Sequence, residues 1–269
     1  MTELANDLGT EKISKLLIKQ AVPASIGILV MSLNMIVDTI FVGQWIGSLA
    51  IAAITVVLPI VFLISSIGMG IGIGGSSIIS RALGAKKADK AFLTFGNQIS
   101  MTVGLSVFFV VVGTIFCSSL LLLFGANGDI LVPATEYFHV VLYGVPFLAF
   151  AMMGNPVIRA EGKPKFAMYA MIIPVISNIL LDIVFIKFMD LGMFGAGLAT
   201  SISYAACGLF ILGFFLSKKS ELVVSPKYFV LKFPIVKEII ELGGVTIVRQ
   251  GTISVLMIVL NATLFTYGG

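Results

Sequence analysis

The chain has 269 residues, of which 58% are hydrophobic and only 11% charged, with a mean hydropathy of +1.11. Soluble domains carry roughly 25% charged residues, so these values exclude a soluble fold and describe an integral membrane protein. The formal net charge of +4 is no nucleic-acid signal, because the basic residues are sorted by loop instead of gathered on one segment.

Seven stretches nearly free of charge follow one another at about 21–46, 49–79, 91–122, 138–158, 166–186, 191–216 and 242–267. Each reaches the roughly 20 residues that cross ~30 Å of hydrocarbon. The second and third are long enough to tilt or to extend beyond it. A membrane β-barrel is excluded, since its strands would alternate polar and apolar residues over ~10-residue segments. Ahead of the first span, residues 1–20 form an amphipathic lead-in, with Ile13, Leu16 and Leu17 set against Lys12, Lys15 and Lys19. Such a segment is expected to lie on the cytoplasmic surface. Its mixed charge, and the length of the apolar run after it, do not fit a cleavable signal peptide.

Prolines fall within or at the start of several spans: Pro23, Pro59, Pro146, Pro156 and Pro174. Each removes an intrahelical hydrogen bond and favours a bend, which neighbouring helices tolerate in a bilayer. In span two, Gly70-Ile71-Gly72-Ile73-Gly74-Gly75 contains the letters of a dinucleotide-binding loop. It has no preceding strand and no acid at the required spacing, so it reads as a surface for close helix packing. Cys117 and Cys207 lie in apolar stretches without metal-ligand spacing and read as small core residues. His139, beside Glu136 at the outer edge of span four, reads as an interfacial histidine. Trp45 and the Tyr137-Phe138 pair fall near outer interfaces, where aromatic rings are favoured. The sequon Asn261-Ala262-Thr263 lies inside span seven and is discounted.

Residues 218–237 are the longest polar stretch, with Pro226 and Pro234, and are expected to be a cytoplasmic linker between a six-helix unit (21–217) and one further helix (238–269). Of the 17 basic residues, 15 precede span one or lie between spans two and three, four and five, or six and seven. The exceptions are Lys187 and Arg249. By the positive-inside rule the N-terminus is then cytoplasmic.

Two aspartates break the pattern. Asp38 in span one and Asp182 in span five sit where a carboxylate costs roughly 2.5–3.5 kcal/mol to insert. Such acids point to an ion site, a proton relay or a counter-charge for substrate. Asn178 lies four residues before Asp182, so the two share a helix face. Together they offer hard oxygen ligands for Na⁺ or a holder for a proton, and Asp38 completes a two-carboxylate pocket if spans one and five are neighbours. Thr200 follows Gly195-Ala196-Gly197 in span six, where small residues let backbone approach backbone and any loosening of the helix frees a carbonyl as a further ligand. Met31, Met35, Met152 and Met153 are candidates to line an adaptable apolar cavity.

Several pieces, taken in order, resemble one family, the multidrug and toxic compound extrusion (MATE) transporters, in its bacterial branch. They are Pro23 with Val37-Asp38-Thr39-Ile40-Phe41-Val42-Gly43, then Arg81-Ala82-Leu83-Gly84-Ala85, then Asn155 through Arg159-Ala160-Glu161-Gly162-Lys163-Pro164. Asn178-Ile179-Leu180-Leu181-Asp182 and Gly195-Ala196-Gly197-Leu198-Ala199-Thr200 complete the set. The resemblance implies an all-α polytopic protein with two six-helix lobes, of which this chain carries one plus the first helix of the second, as the front part of a longer protein. It further implies a transporter and not an enzyme, exporting small organic cations across the cytoplasmic membrane in exchange for Na⁺ or H⁺, with no cofactor. Carried over by position, Asp38, Asn178, Asp182, Thr200 and the Ala196 carbonyl form the coupling-cation site. Asn155, Pro23, Met31 and Met35 are candidates for substrate contact or gating. Two alternatives stay open: a lipid or oligosaccharide flippase of the same broad superfamily, and an intramembrane aspartyl protease, whose Tyr-Asp and Gly-x-Gly-Asp contexts differ from Val37-Asp38 and Leu181-Asp182.

Overall fold

A computed structural model of the chain describes residues 12–267. Eight α-helices follow in order: α1 (Ile13–Trp45), α2 (Ser48–Gly84), α3 (Ala88–Ile115), α4 (Cys117–Leu123), α5 (Leu131–Ala160), α6 (Pro164–Asp182), α7 (Gly192–Leu216) and α8 (Phe233–Tyr267). No strand occurs among the described residues. All but the short α4 are long and apolar enough to cross a bilayer, giving seven spans. The protein is a multi-pass, all-α membrane protein.

The boundaries differ from the sequence expectations in four places. The lead-in is no separate element over its described part, because α1 runs unbroken from Ile13 through Pro23; residues 1–11 lie outside the described residues. Span three ends at Ile115, and the chain turns at Phe116 into α4. α6 gives way after Asp182 to a π-helical turn, Ile183–Phe188. The polar linker is shorter than expected, since α8 already begins at Phe233, with Pro234 in its first turn, where a missing N–H costs nothing.

α2 is the organising helix, packing most extensively on α8 and α5 and also on α3. The glycine run explains why, as close packing through small residues predicts. A Cβ at Gly74 would overlap the Ile239 carbonyl oxygen of α8, and one at Gly72 would come within 2.6 Å of the Met153 carbonyl oxygen of α5. Helices in lipid gain no hydrophobic drive from meeting, so backbone contact of this kind supplies the attraction. On the third side of α2, Gly75 leaves room for the wholly buried Gln98 of α3. The Gln98 Nε2 donates to the carbonyls of Ile71 (2.7 Å) and Gly72 (3.2 Å).

Two apolar clusters occupy the bundle at two depths. One joins α2 residues from Ala50 to Ile64 with α5 residues from Ala134 to Ala149. The other joins Ile71 to Ala82 with Ala151 to Ile158 and with Ile211 and Phe215 of α7. The matched order shows that α2 and α5 run parallel. Tyr137 and Phe138 are buried in the first cluster, 6% and 1% exposed, and are core residues instead of interfacial ones. Cys117 and Cys207 are likewise buried and free. Trp45 stacks on Phe41 (centroids 4.3 Å apart) and carries the Lys187 ammonium 5.5 Å above its ring.

The segment between α7 and α8 is docked on the bundle. The Asn97 side chain of α3 accepts the Lys232 N–H (2.7 Å) and donates to the Val230 carbonyl (3.3 Å), and the Ser100 hydroxyl donates to the Phe229 carbonyl (2.6 Å). Leu222 is buried in the second cluster. At the end of α5, Glu161 is buried and accepts the Ser220 hydroxyl (2.8 Å) and the Leu222 N–H (3.2 Å) on one oxygen. Its other oxygen is buried with no hydrogen-bond partner among the described residues.

Candidate functional site

α1 packs along α6, and both helices carry the same pattern, an Asn followed four residues later by an Asp. Residues four apart stack on one helix face. The faces meet in register: the Asn34 amide donates to the Asn178 amide oxygen (3.1 Å), and one turn on, the Asp38 and Asp182 carboxyls stand side by side, close enough to interact directly. The offset between partners is 144 residues for the amides, and the same offset separates the acids, so α1 and α6 run parallel here.

Burial grades across the pair. Asp182 is fully buried and Asn178 is 5% exposed, whereas Asp38 and Asn34 are half-buried. Neither Asp182 oxygen has a hydrogen-bond donor among the described residues, and neither does the Asn34 carbonyl oxygen. Two ionised carboxylates cannot donate to each other, and buried unsatisfied oxygens are costly. A proton or a small cation between the acids would satisfy these oxygens.

α7 and α5 close the site on its inner side. The Thr200 hydroxyl donates to the Ala196 carbonyl (3.0 Å) and lies 3.4 Å from the Tyr137 hydroxyl. Tyr137 stands near both aspartates, and Tyr204 near Asp38. The π-helical turn begins directly after Asp182; such turns recur at functional sites, where they re-aim one turn of helix.

Of the residues singled out from sequence, the structure gathers Asp38, Asn178 and Asp182, and adds Thr200 and Ala196 through Tyr137. Met31 and Met35 flank Asn34 and Asp38 on α1, 40% and 51% exposed. Asn155 and Pro23 are elsewhere. Asn155 donates to the Ala167 carbonyl (2.8 Å) and ties α5 to α6, about 27 Å along α5 from Tyr137 at 1.5 Å per residue. Pro23 is buried in α1, about 22 Å along that helix from Asp38. Sequence reading missed Asn34, Tyr137 and Tyr204. Asn34 had a signal, the repeated Asn-Asp spacing; the tyrosines had none beyond being polar-tipped rings in apolar helices.

The sequence profile of the MatE family matches residues 23–184, which include Asp38, Asn178 and Asp182. The chain belongs to the MatE family. Among its relatives, the multidrug export protein MepA of Staphylococcus saprophyticus is 33% identical over 250 residues, 92% of this chain and 55% of that protein. The probable multidrug resistance protein YoeA of Bacillus subtilis is 30% identical over 205 residues, 75% of this chain and 44% of its own length. A solved structure of the MATE multidrug transporter DinF-BH superposes with a TM-score of 0.91 at 38% identity, covering 97% of this chain and 58% of that one. This MatE chain thus spans about half the length of the relatives it matches.

Proposed function

We propose that this chain forms the amino-terminal part of a cation-coupled exporter of organic cations, with the N-terminus cytoplasmic and Asp38 and Asp182 as the coupling pair. The observation that carries the reading is the meeting of two carboxyls in a site where Asp182 has no hydrogen-bond donor among the described residues. The available groups suit either coupling ion. A proton would bridge the two acids, and Na⁺ would find hard oxygens in both carboxylates and in the Asn34 amide oxygen. Loading one such ion takes the charge of the two ionised carboxylates from −2 to −1. Releasing it leaves negative charge beside the exposed Met31 and Met35, a setting that attracts an organic cation. Ion and substrate then exclude each other, which is the logical requirement for exchange. Tyr137 positions Thr200 and holds the inner wall, while Asn34 and Asn178 fix the register of the two helices. The names of MepA, YoeA and DinF-BH, all multidrug proteins, support export of drugs by the whole protein.

The test is export of a fluorescent organic cation from everted vesicles by the full-length form. Asp38→Asn and Asp182→Asn are each expected to insert normally and to lose ion-driven export. Wild-type export in both variants would remove the site. Loss of folded protein, with no export defect in the protein that does fold, would reduce the aspartates to a structural role.

A further inference from the structure

Away from the aspartate pair, a cavity of about 180 Å³ opens where the last turn of α2 meets the starts of α3 and α8. Its floor is apolar, formed by Ile78 and Ala82, which are 1% and 4% exposed. Its rim carries Arg81, Lys87 and Lys90 against a single carboxylate, Glu238. Glu238 reaches across from α8 to Lys90 (3.1 Å) and Arg81 (3.5 Å), and the Arg81 Nε donates to the Ser77 carbonyl (3.1 Å), which fixes its guanidinium at the rim. The other charges nearby are engaged elsewhere: Asp89 accepts the Tyr228 hydroxyl (3.5 Å), and Lys237 pairs with Glu241 (3.8 Å). Glu238 therefore pairs with two of the three rim cations.

We propose that this cavity binds the phosphate headgroup of an anionic phospholipid, with Glu238 as an internal competitor for the same cations. The position fits, since the ends of three membrane-length helices place the rim at headgroup level. The chemistry fits as well. Arg and Lys are the residues that hold phosphate oxygens, and basic pockets between spans are recognised headgroup sites. An apolar floor beneath a basic rim matches a headgroup with its glycerol better than a free, fully hydrated anion. Because Glu238 lies on α8 while Arg81 and Lys90 lie on α2 and α3, a bound headgroup would relax the ionic clasp between α8 and the rest of the bundle. The inference is independent of the aspartate pair.

The test uses the full-length protein in detergent, offered phosphatidylglycerol and phosphatidylcholine in equal amounts, with bound lipids counted by native mass spectrometry. Phosphatidylglycerol is expected to be retained preferentially. Lys87→Gln, an exposed position, should lower that retention about fivefold, the worth of one cation near a membrane surface. Glu238→Gln should raise it, because the competing carboxylate is gone. A merely structural role for the clasp would move both variants in the same direction, or neither, and either result overturns the proposal. A parallel arm adds inorganic phosphate against an ionic-strength control. Displacement of the lipid by the control salt alone would mark unspecific charge attraction. Phosphate binding without preference between the two lipids would assign the cavity to a free anion, and either outcome also overturns it.

Discussion

Glu161 offers the sharpest quantitative handle outside the membrane-spanning segments. Burial is the main reason its carboxyl titrates at about 7 instead of the ordinary 4.5, with the charge of Glu221 acting in the same direction and the bonds from Ser220 and Leu222 opposing it. The group is 7% exposed, so solvent screens the effect little, and the difference corresponds to ~3 kcal/mol between the folded chain and one with Glu161 in water. Docking of residues 220–222 onto Glu161 is at full strength below about 4.5 and is lost as pH rises through about 7. The Leu222 amide, which donates to Glu161 (3.2 Å), reports this directly. Its hydrogen-exchange protection, corrected for intrinsic exchange, should fall by up to about tenfold per pH unit between about 4.5 and about 7 and level off above that. In Glu161→Gln, which keeps an acceptor and loses the charge, protection should be nearly flat with pH. An identical pH slope in the variant, or a flat profile in the wild type, would refute the role of Glu161.

Three further outcomes are expected. Gly74→Leu should lower thermal stability by about 1–3 kcal/mol or more, because its side chain would meet the Ile239 carbonyl. Gly104→Ala, which meets nothing within 4 Å, should be neutral or stabilising by roughly 0.5–1 kcal/mol; equal effects in unfolding scans would sink the packing argument. Asn34→Leu removes the amide pair with Asn178 and should weaken coupling-ion affinity about tenfold, the worth of one partly buried hydrogen bond, leaving inserted protein unchanged; an unaltered affinity in equilibrium titration contradicts its place in the site. Cysteines introduced at Lys86 and Lys227 should react with membrane-impermeant reagent only from the cytoplasmic side, and labelling of either from outside intact cells would reverse the proposed orientation.

Much of the architecture was legible in the residues. Seven apolar stretches became seven spans, because in a bilayer the length of a hydrophobic run is itself the structural constraint. The glycine run in α2 declared close packing, and its several partners became visible only in three dimensions, since α8, α5 and α3 are distant in sequence. The union of Asp38 with Asp182 was anticipated as a condition, the adjacency of spans one and five. The register is also written in the sequence, in the equal spacings Asn34–Asp38 and Asn178–Asp182. Tyr137 was misplaced because position near a span end favours an interface reading, whereas its ring is covered by α7 through contacts no local pattern encodes. The docked linker was hidden for a similar reason. Its anchors, Asn97, Ser100 and Glu161, look like ordinary polar residues until the fold brings residues 220–232 to them. The π-helical turn after Asp182 is nearly as apolar as the helix it extends, so periodicity could not reveal it.

The proposal that Asp38 and Asp182 share a cation is tested most directly by stoichiometry. Binding of tetraphenylphosphonium to the full-length protein should release one coupling ion, counted with a pH indicator for H⁺ and with labelled sodium for Na⁺. The release should vanish in Asp38→Asn and equally in Asp182→Asn, because the ion is held by the pair. Undiminished release in both single variants would contradict a coupling ion bound between these two aspartates.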